Sequence, residues 1–500
     1  MKKARLLWIG YSGKGDHAHV EVLRRLRKSD LIEFCVASGV KPQKTDLDVL
    51  DSPLISHHHA LFAMYENFSV KSPCFVDRET YALFSSFEGE TLRMMDRLHN
   101  RGPKFRFHDS FDTRRRMFLK HCAFWSSYLE ANKISHIVFN GVPHEVYTFV
   151  LLKIAKVFGI STLILHPEKT GIPRKSDGIY YGLHPQKTMH QNVFYVSESI
   201  DDIGIWALSA RIKDAAKTLG IEFNCGDPLS AAIEKTRVSA SRPPNVTRSS
   251  SLAKFIKEAG KVSKRPYEFF NFSRRAMKSN SQKKAHSRIA SPARNNPNAI
   301  IYFLPYQPEE SSSPRAGIFV EQVLAVRSVA DCLPDGWVLR VREHPDQYGR
   351  RRPREEGFLR EISQIPNVSI VPYEETVNES FSAVRAAVGV SGTSCVEGWC
   401  RKIPLLMFGD MFLKKAPGVF YIETFSDIRK AMTVIQNGFE YDENQVKSFI
   451  AWTSSNSFIG SLHKVDKGLP NLIETTTSNI EAIIRGWFHL GEVHLMSHQK

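Results

Sequence analysis

Almost all of the excess charge of this chain is concentrated in one stretch, residues 235–294. The 500-residue sequence has 68 Lys and Arg against 52 Asp and Glu, a net charge of +16. Sixteen basic and two acidic residues lie in residues 235–294, so this stretch carries +14 and the rest only +2. It is also rich in Ser, Asn and Pro, a composition typical of a solvated linker. We therefore predict two nearly neutral folded parts joined by a basic linker.

Length and composition are sufficient for two domains. With 42% hydrophobic and 11% aromatic residues, a chain of 500 residues can bury more than one core. We predict an N-terminal domain at residues 1–230, the linker at 235–296, a C-terminal domain at 298–470, and a C-terminal helix and tail at 471–500.

Part of the linker has the pattern of a short amphipathic helix. Leu252, Phe255, Ile256 and Ala259 recur at helical spacing within residues 252–265, among lysines and an arginine. Such a helix could lie on an anionic membrane surface. A charged tether between the domains is the interpretation we prefer, and membrane contact is the alternative. Nucleic acid is a less favoured partner because the segment has no repeated aromatic platform and no zinc-finger spacing.

Apolar runs and cysteines indicate the compartment. No uncharged stretch reaches the length that spans a membrane, and the first apolar run is too short for a signal-peptide core. The seven cysteines are scattered without a CxxC pair, which fits reduced thiols better than a disulfide frame or a zinc site. We expect a cytoplasmic protein, peripheral on the inner face of the plasma membrane if the linker binds lipid, and we predict no metal site.

Strand and helix patterns alternate in both parts of the chain. The N-terminal part opens with a strand pattern at residues 5–10, a helix pattern at 18–27 and a strand pattern at 31–37, and a second unit follows at 134–166. In the C-terminal part, strand patterns lie at residues 299–304, 337–342, 368–371, 386–390 and 404–408. Helix patterns between them lie at residues 317–331, 376–385, 393–401 and 425–436. This alternation predicts an α/β fold with two Rossmann-like domains facing across a cleft, where the strand ends bind ligands.

The loop between the first predicted strand and helix contains Gly13, Gly15, Asp16 and His17. Glycines at this point could bring backbone N–H groups close to a phosphate or a sugar, although a plain tight turn explains them equally well. We take Gly13 and Gly15 as candidates for acceptor binding, and Asp16 and His17 as catalytic candidates. The second strand lacks the closing acidic residue of a dinucleotide fold, which disfavours NAD.

His144 and Glu145 follow a predicted strand and begin a predicted helix. Side chains at this position could face the ligand and serve as acid or base. The alternative is structural, because Glu145 complements the helix dipole and His144 caps or packs. We keep both residues as catalytic candidates.

Two segments of the C-terminal part have sharper patterns. His344 and Pro345 end a strand, and the proline restricts where the histidine points. Residues 389–397 turn a strand into a helix, with Ser391, Gly392, Thr393 and Ser394 where unpaired helix N–H groups meet the positive end of the dipole. We interpret the turn as a phosphate cradle, with an ordinary helix cap as the alternative.

Glu397 lies near the first turn of the helix that begins after this cradle. It could accept hydrogen bonds from ribose hydroxyls, and the alternative is a favourable acid early in a helix. The turn does not satisfy GxSxG, because Thr393 stands where the second glycine is required, so a serine hydrolase is disfavoured.

The order of these segments resembles bacterial capsular polysaccharide synthesis proteins of the Kdo-transferase type. The similarity runs over residues 298–412, and more loosely over 134–168. It is carried by Tyr306-Gln307-Pro308-Glu309, Arg342-Glu343-His344-Pro345 and Ser391-Gly392-Thr393 followed by Glu397. The family's second motif more often begins with two adjacent hydroxyl residues, whereas Gly392 intervenes here.

This resemblance implies a GT-B glycosyltransferase fold, with a CMP-activated sugar donor in the C-terminal half and an acceptor glycan in the N-terminal half. His344 and Pro345 correspond to the family's His-Pro pair, which would hold the nucleotide together with the cradle and Glu397. The donor-binding candidates are Gln307, Glu309, Arg342, His344, Pro345, Ser391, Gly392, Thr393, Ser394 and Glu397.

The predicted function is therefore a metal-independent glycosyltransferase without a resident cofactor. It would move a Kdo-like sugar from a CMP-linked donor onto a capsule or surface polysaccharide, as a glycan or glycolipid acceptor. A sugar-nucleotide epimerase of GT-B architecture and a non-catalytic glycan-assembly protein are the alternatives.

Overall fold

A computed structural model gives the fold of the chain. It describes residues 3–12, 18–40, 50–51, 55–56, 78–99, 111–168, 193–197, 205–227, 229–230, 232–233, 236, 266–291, 296–307, 312, 314–349, 354–355, 357–382, 384–460, 462 and 470–497. Within these residues, every helix is too short or too polar to cross a membrane. The amphipathic pattern at 252–265 lies outside the described residues, so its membrane contact stays a prediction.

The chain forms two compact units. Unit 1 comprises residues 1–96, 107–231 and 447–500, and unit 2 comprises residues 97–106 and 232–446. The end of the first unit at 231 lies beside the predicted boundary at 230. Residues 447–470, predicted to belong to the C-terminal domain, are part of unit 1 instead.

Unit 1 is built on a seven-stranded sheet. In chain order its strands are β1 (Ala4–Ser12), β2 (Ile32–Val40), β3 (Ile55–Ser56), β4 (His136–Asn140), β5 (Ser161–Glu168), β6 (Val193–Ser197) and, from the C-terminal segment, β13 (Phe458–Ile459). They pair in the order β13-β6-β5-β4-β1-β2-β3. The five strands from β3 to β5 are parallel, and β6 and β13 add antiparallel pairs at one edge. The parallel part has the Rossmann order, with its switch point between β1 and β4.

Helices pack on this sheet because packing there buries their apolar faces away from water. The helices of unit 1 are α1 (Ala18–Lys28), α2 (Arg78–His99), α3 (Phe111–Ala131), α4 (Val146–Val157), α5 (Ile205–Thr218), α13 (Glu443–Asn456, which begins just before the unit boundary) and α14 (Pro470–Ser497). Trp8 of β1, Val138 of β4 and Leu163 of β5 lie fully buried in one core with Leu23 and Leu26 of α1.

The C-terminal segment belongs to unit 1 because it completes this core. Ile480, Ile483 and Ile484 of α14 are fully buried in the same cluster as β1 and β4. Trp487 lies edge-on to the His136 ring of β4 at 4.9 Å between ring centroids. β13 adds main-chain pairing with β6. The apolar spacing predicted a C-terminal helix, but not the sheet it covers.

Unit 2 is built on a six-stranded, fully parallel sheet. Its strands are β7 (Ala299–Phe303), β8 (Val338–Arg342), β9 (Val368–Ile370), β10 (Ala386–Gly389), β11 (Leu405–Met407) and β12 (Val419–Tyr421). They pair in the order β12-β11-β10-β7-β8-β9. Counted from β7, this is the Rossmann order 3-2-1-4-5-6 reversed, so the strand order switches between β7 and β10.

The helices of unit 2 connect these strands. They are α6 (Pro266–Ile289), α7 (Gln322–Ala330), α8 (Pro345–Gly349), α9 (Phe358–Ser363), α10 (Val377–Phe381), α11 (Thr393–Cys400) and α12 (Phe425–Gln436), with 3₁₀ turns at Gly317–Val320 and Phe412–Lys415. Ile300, Leu339 and Val388 of the central strands are fully buried with Ala325 and Val326 of α7.

The second half of the predicted linker is the long helix α6, packed within unit 2. Ser279 and His286, seven residues apart on one face, are buried. His286 Nε2 lies 2.8 Å from the Val371 carbonyl oxygen, and its Nδ1 lies 3.1 Å from the Tyr348 hydroxyl. The basic composition predicted a solvated segment. The buried face of α6 carries polar side chains, so the sequence shows no apolar periodicity there.

The predicted α/β fold class with two Rossmann-like units is confirmed. The strand and helix patterns of both βαβ regions and of the C-terminal alternation match observed elements to within a few residues. The helix predicted at 317–331 is interrupted, since a 3₁₀ turn precedes α7.

The role of α14 in the core of unit 1 can be tested with Ile484→Ala. Deleting a fully buried isoleucine side chain should lower the free energy of unfolding by about 2–5 kcal/mol, because it leaves a cavity. Urea denaturation measures the change. Leu83→Ala, on α2 at 52% exposure, is the matched control and should cost less than about 1 kcal/mol. Equal losses would show that α14 is not part of the core.

Candidate functional site

The carboxyl edge of the sheet in unit 2 brings the predicted donor segments together. β7 continues into Gln307, β8 into His344, and β10 into Ser391. β7 lies between β8 and β10, so His344 and Ser391 follow strands two spacings apart, about 10 Å. Both segments therefore lie at one edge of one sheet, and the switch point where such sheets bind ligands falls between β7 and β10.

The cradle leads into a helix whose N-cap residue is a glycine. Gly392 is the N-cap residue of α11 with extended backbone angles (φ −87°, ψ 171°), and it makes no side-chain cap hydrogen bond. The glycine carbonyl accepts the Cys395 N–H at 3.0 Å, which starts the helix. Because Gly392 has no oxygen to offer, the first N–H groups of α11 are not capped as a Ser or Asp would cap them.

A cysteine packs beneath the cradle and excludes any larger residue at Gly389. A Cβ atom added at Gly389 would lie 2.5 Å from Cys395 Sγ, so the last residue of β10 must be glycine. Burial raises the pKa of the Cys395 thiol to about 12. The sulfur is therefore a neutral packing atom at physiological pH and not a nucleophile.

A buried carboxylate fixes the backbone of His344. Glu343 Oε1 accepts the His344 N–H at 2.7 Å, and the two Glu343 oxygens accept Nη2 and Nε of Arg354 at 2.7 and 2.6 Å. Arg354 Nη2 also donates to the Pro305 carbonyl at 3.1 Å. One ion pair thus joins the chain after β8 to the chain after β7. The imidazole itself lies 5.5 Å from the Tyr306 ring, between ring centroids.

Pro345 begins a short helix directly after His344. The Gln347 N–H donates to the His344 carbonyl at 2.9 Å, which closes the first turn. Pro345 is exposed at the start of this helix, where a missing N–H costs nothing.

Gln307 is engaged by the protein itself. Its Nε2 donates to the Val320 carbonyl at 2.9 Å, and its N–H donates to Gln347 Oε1 at 3.2 Å. Gln347 Nε2 donates back to the Gln307 carbonyl at 3.3 Å. The Gln307 side chain therefore positions the loop after β7.

Arg342 has a guanidinium that is buried and only partly bonded. Its Nε donates to Ser380 Oγ at 3.1 Å, and its Nη2 donates to the Glu375 carbonyl at 2.8 Å. Burial lowers the pKa of Arg342 below its usual value. In the part of the chain that the structure describes, Nη1 makes no hydrogen bond. That nitrogen is available to a ligand atom.

Glu397 is half-exposed on α11 and lies beside an arginine. Its Oε2 lies 3.7 Å from Arg401 Nη1, and Arg401 Nη2 donates to Asn378 Oδ1 at 2.6 Å. The carboxylate retains exposed surface, with a side-chain exposure of 40%. It can still accept a hydrogen bond from a ligand hydroxyl.

In unit 1, His144 and Glu145 follow β4 and precede α4, as predicted. His144 Nδ1 lies 2.8 Å from the Val142 carbonyl, which can only accept, so Nδ1 carries the proton and Nε2 is the basic nitrogen. Glu145 is the N-cap residue of α4, and its side chain makes no cap hydrogen bond. Glu145 therefore lies at the positive end of the α4 dipole without capping it, and both the dipole alternative and the catalytic role of Glu145 stay predictions.

The switch point of unit 1 is a close contact between β1 and β4. Gly10 has φ +82°, and a Cβ there would lie 3.1 Å from Asn140 Cβ. Asn140 Nδ2 donates to the Leu462 carbonyl at 3.2 Å, which ties the C-terminal segment to the end of β4. Sequence patterns did not single out Asn140 for this role.

Five candidates lie outside the described residues: Gly13, Gly15, Asp16, His17 and Glu309. Their roles stay predictions. Among the residues the structure does describe, no group of three or more His, Cys, Asp and Glu is arranged to hold a metal ion.

Sequence reasoning missed the buried charges beneath the site. Arg340, Glu343, Arg354 and Glu375 are all at most 8% exposed. A signal was present, since Arg340 and Arg342 alternate within an otherwise apolar strand and so share one face of the sheet. The carboxylate partner of Arg340, Glu375, follows 35 residues later in the chain and has no local pattern.

Comparisons with known proteins do not establish the function, which is therefore inferred from the geometry of the site. No family model and no curated protein sequence matches the chain. Similar solved structures include an α,α-trehalose-phosphate synthase (UDP-forming) from Burkholderia vietnamiensis, 11% identical, covering 97% of this chain and 99% of that chain with a TM-score of 0.31.

Two further similar structures are a UDP-GlcNAc 2-epimerase from Methanocaldococcus jannaschii and a glycosyltransferase from Rickettsia africae. The epimerase is 9% identical, with 90% of this chain and 98% of that chain covered and a TM-score of 0.27. The glycosyltransferase is 10% identical, with 99% of each chain covered and a TM-score of 0.25. Scores this low carry no argument about activity.

The ion pair that fixes His344 can be tested with Glu343→Gln. The variant should lower the free energy of unfolding by about 3–5 kcal/mol, because it leaves Arg354 charged and buried without a carboxylate. The double variant Glu343→Gln/Arg354→Met should recover part of this loss in urea denaturation. Glu443→Gln, which breaks the exposed pair with Lys402, is the matched control and should cost about 1 kcal/mol or less. A loss as small as the control's would contradict a fixing role.

Proposed function

We propose that the chain is a GT-B glycosyltransferase. It would transfer a Kdo-like sugar from a CMP-linked donor to a capsule or surface polysaccharide, with the donor on unit 2 and the acceptor on unit 1. A lipid-linked acceptor would bring the basic residues 252–265 to the inner face of the membrane.

One observation carries the donor assignment. At the strand-order switch of unit 2, a helix N-terminus whose N-cap residue, Gly392, supplies no side-chain cap lies at the same sheet edge as His344. Helix N-termini bind phosphate through their N–H groups and dipole. A phosphate above the end of β7 would be reached by α11 from one side and by His344 and Arg342 from the other.

These groups suit a nucleoside monophosphate leaving group. As the bond to the sugar breaks, negative charge grows on the phosphate, and the helix N–H groups, Arg342 and the imidazole can stabilise it. Glu397 would accept hydrogen bonds from the ribose hydroxyls. With these donors in place, transfer would proceed without a divalent cation.

The acceptor hydroxyl would lose its proton to unit 1. His144 Nε2 is the acceptor nitrogen of the ring because Nδ1 donates to the Val142 carbonyl, and Glu145 is a second candidate base. Asp16 and His17, with the Gly13 and Gly15 loop, are proposed to lie near the acceptor on the same sheet.

The donor site can be tested with His344→Ala and a thermal-shift screen against CMP, UDP, GDP and ADP. We expect CMP to stabilise the wild-type protein most, and we expect His344→Ala to lose this shift and to slow transfer on the order of 100-fold or more. Arg360→Ala, an exposed change on α9 before the amino end of β9, is the control and should behave as wild type. Unchanged donor affinity and turnover in His344→Ala would remove the donor assignment.

Product analysis separates the alternatives. A transferase consumes the nucleotide sugar only when the acceptor is present, whereas an epimerase converts it when it is the sole substrate. A glycan-assembly protein would show neither conversion nor stabilisation by any nucleotide.

The helix N-terminus can be tested with Gly392→Asp. An added Cβ would lie 3.6 Å from Ser394 Oγ, an ordinary contact, so the fold should tolerate the change. The new carboxylate should cap α11 and raise the free energy of unfolding by a few tenths of a kcal/mol. It should also repel the donor phosphate and weaken CMP binding on the order of tenfold. Gly392→Asn supplies the same cap without charge and should weaken binding less. Wild-type CMP affinity in Gly392→Asp would place the phosphate elsewhere.

A further inference from the structure

Two arginines and one glutamate form a buried cluster at the end of β8. Arg340, Arg342 and Glu375 are 1%, 8% and 2% exposed. Arg340 Nη2 donates to both Glu375 oxygens at 2.9 Å, and Arg342 Nη2 donates to the Glu375 carbonyl at 2.8 Å. The carboxylate also accepts the Ser380 hydroxyl at 2.8 Å, and that hydroxyl accepts Arg342 Nε at 3.1 Å. Glu375 therefore pairs with Arg340 directly and holds Arg342 through its own carbonyl and through Ser380.

This cluster has one positive charge in excess. The nearby carboxylates are engaged elsewhere: Glu343 pairs with Arg354, Glu397 lies beside Arg401, and Glu379 accepts the Thr376 N–H at 2.7 Å as part of a helix cap. Glu397 and Glu379 act on Arg342 only at longer range, and burial dominates by lowering the pKa of Arg342. Burial of an uncompensated charge is costly.

Two nitrogen atoms in the cluster have unused hydrogens. Within the described residues, Arg340 Nε is buried and has no hydrogen-bond partner. Arg342 Nη1 makes no hydrogen bond there either, and it is not one of the fully buried unpaired nitrogens, so it keeps access to solvent. Native proteins rarely leave buried guanidinium hydrogens unused, and Arg342 Nη1 is the nitrogen of this cluster that an anion can reach.

We propose that Arg340, Glu375 and Arg342 form an anion site whose excess positive charge is neutralised by a phosphate group bound at Arg342. The proposal rests on the proposed function in one respect, that this phosphate is the one carried by the nucleotide donor. Arg342 would make the contact. Arg340 and Glu375 are positioning residues that set the charge of the cluster and hold the Arg342 side chain.

Replacing the carboxylate of this cluster and replacing Arg342 should have opposite effects on phosphate affinity. Glu375→Gln raises the excess from one charge to two while keeping the backbone carbonyl that holds Arg342. Phosphate affinity should therefore rise on the order of tenfold, although the free protein becomes less stable. Arg342→Gln makes the cluster neutral and removes the contact. Phosphate affinity should fall on the order of tenfold or more.

The experiment uses the full chain and inorganic phosphate as the probe. Thermal unfolding is followed against phosphate concentration, with sodium chloride at equal ionic strength as the reference, and the shift gives an apparent affinity. Arg340→Met is the second variant, since it neutralises the cluster but leaves Arg342 in place, and it should also weaken phosphate binding. Arg385→Gln is the matched control. This exposed residue lies just before the amino end of β10, and its replacement should leave the phosphate affinity unchanged.

A purely structural cluster gives a different result. Each variant would then lower the unfolding temperature without changing the phosphate-induced shift, and that outcome would overturn the proposal. Absence of a phosphate shift in the wild-type protein would overturn it as well. Should Glu375→Gln fail to fold, the Arg340→Met and Arg342→Gln affinities decide the question.

The test is independent of the transferase assignment. Phosphate affinities that follow the predicted order, together with no nucleotide binding and no transfer, would refute the proposed function and leave the anion site standing. Nucleotide binding that survives Arg342→Gln unchanged would show that the phosphate bound at Arg342 is not the donor's, which refutes that part of the proposal and leaves the transferase assignment standing.

Discussion

The candidate site depends on the ion pair between Glu343 and Arg354. Through it, a single carboxylate holds the His344 backbone while the arginine holds the Pro305 carbonyl, so the chain segments leaving β7 and β8 are bonded to each other. Both charges are satisfied by several donors and acceptors, which is the condition under which a buried pair is tolerated. A ligand group needs fixed donors at the right distance, and this pair supplies the fixed backbone.

Two kinds of buried charge lie beneath the same sheet edge, and they have different consequences. The Glu343 and Arg354 charges cancel, so that pair only shapes the loops. The Arg340, Glu375 and Arg342 charges do not cancel, so that cluster leaves a field at the edge where a phosphate would bind. A neutral cluster would be more stable than this charged one. A purely structural role therefore does not explain why the extra positive charge is retained.

The sequence was most informative where the determining pattern was local. Strands such as β10 (Ala386–Gly389) are short apolar runs bounded by turn residues, and a parallel order follows from helices between them. The edge strands β6 and β13 escaped prediction because they form only by pairing with distant segments. His344 and the turn at residues 391–394 were identified for the same local reason, because they follow strands, whereas Gln307 and Glu309 were candidates only through the family resemblance. Glu375 was missed because its partner Arg340 lies 35 residues earlier and only the fold joins them.

The route of the chain between the units has a consequence for biosynthesis. Unit 2 is nearly continuous in sequence, whereas unit 1 is interrupted at residue 231 and resumes at 447. In synthesis from the N-terminus, the β1–β5 sheet of unit 1 is made before α14, which covers part of its apolar interior, because unit 2 lies between them in sequence. The second unit, inserted in between, can reach its native state earlier. Until α14 is made, the β1–β5 sheet has apolar surface that α14 later buries, and surface of this kind favours aggregation.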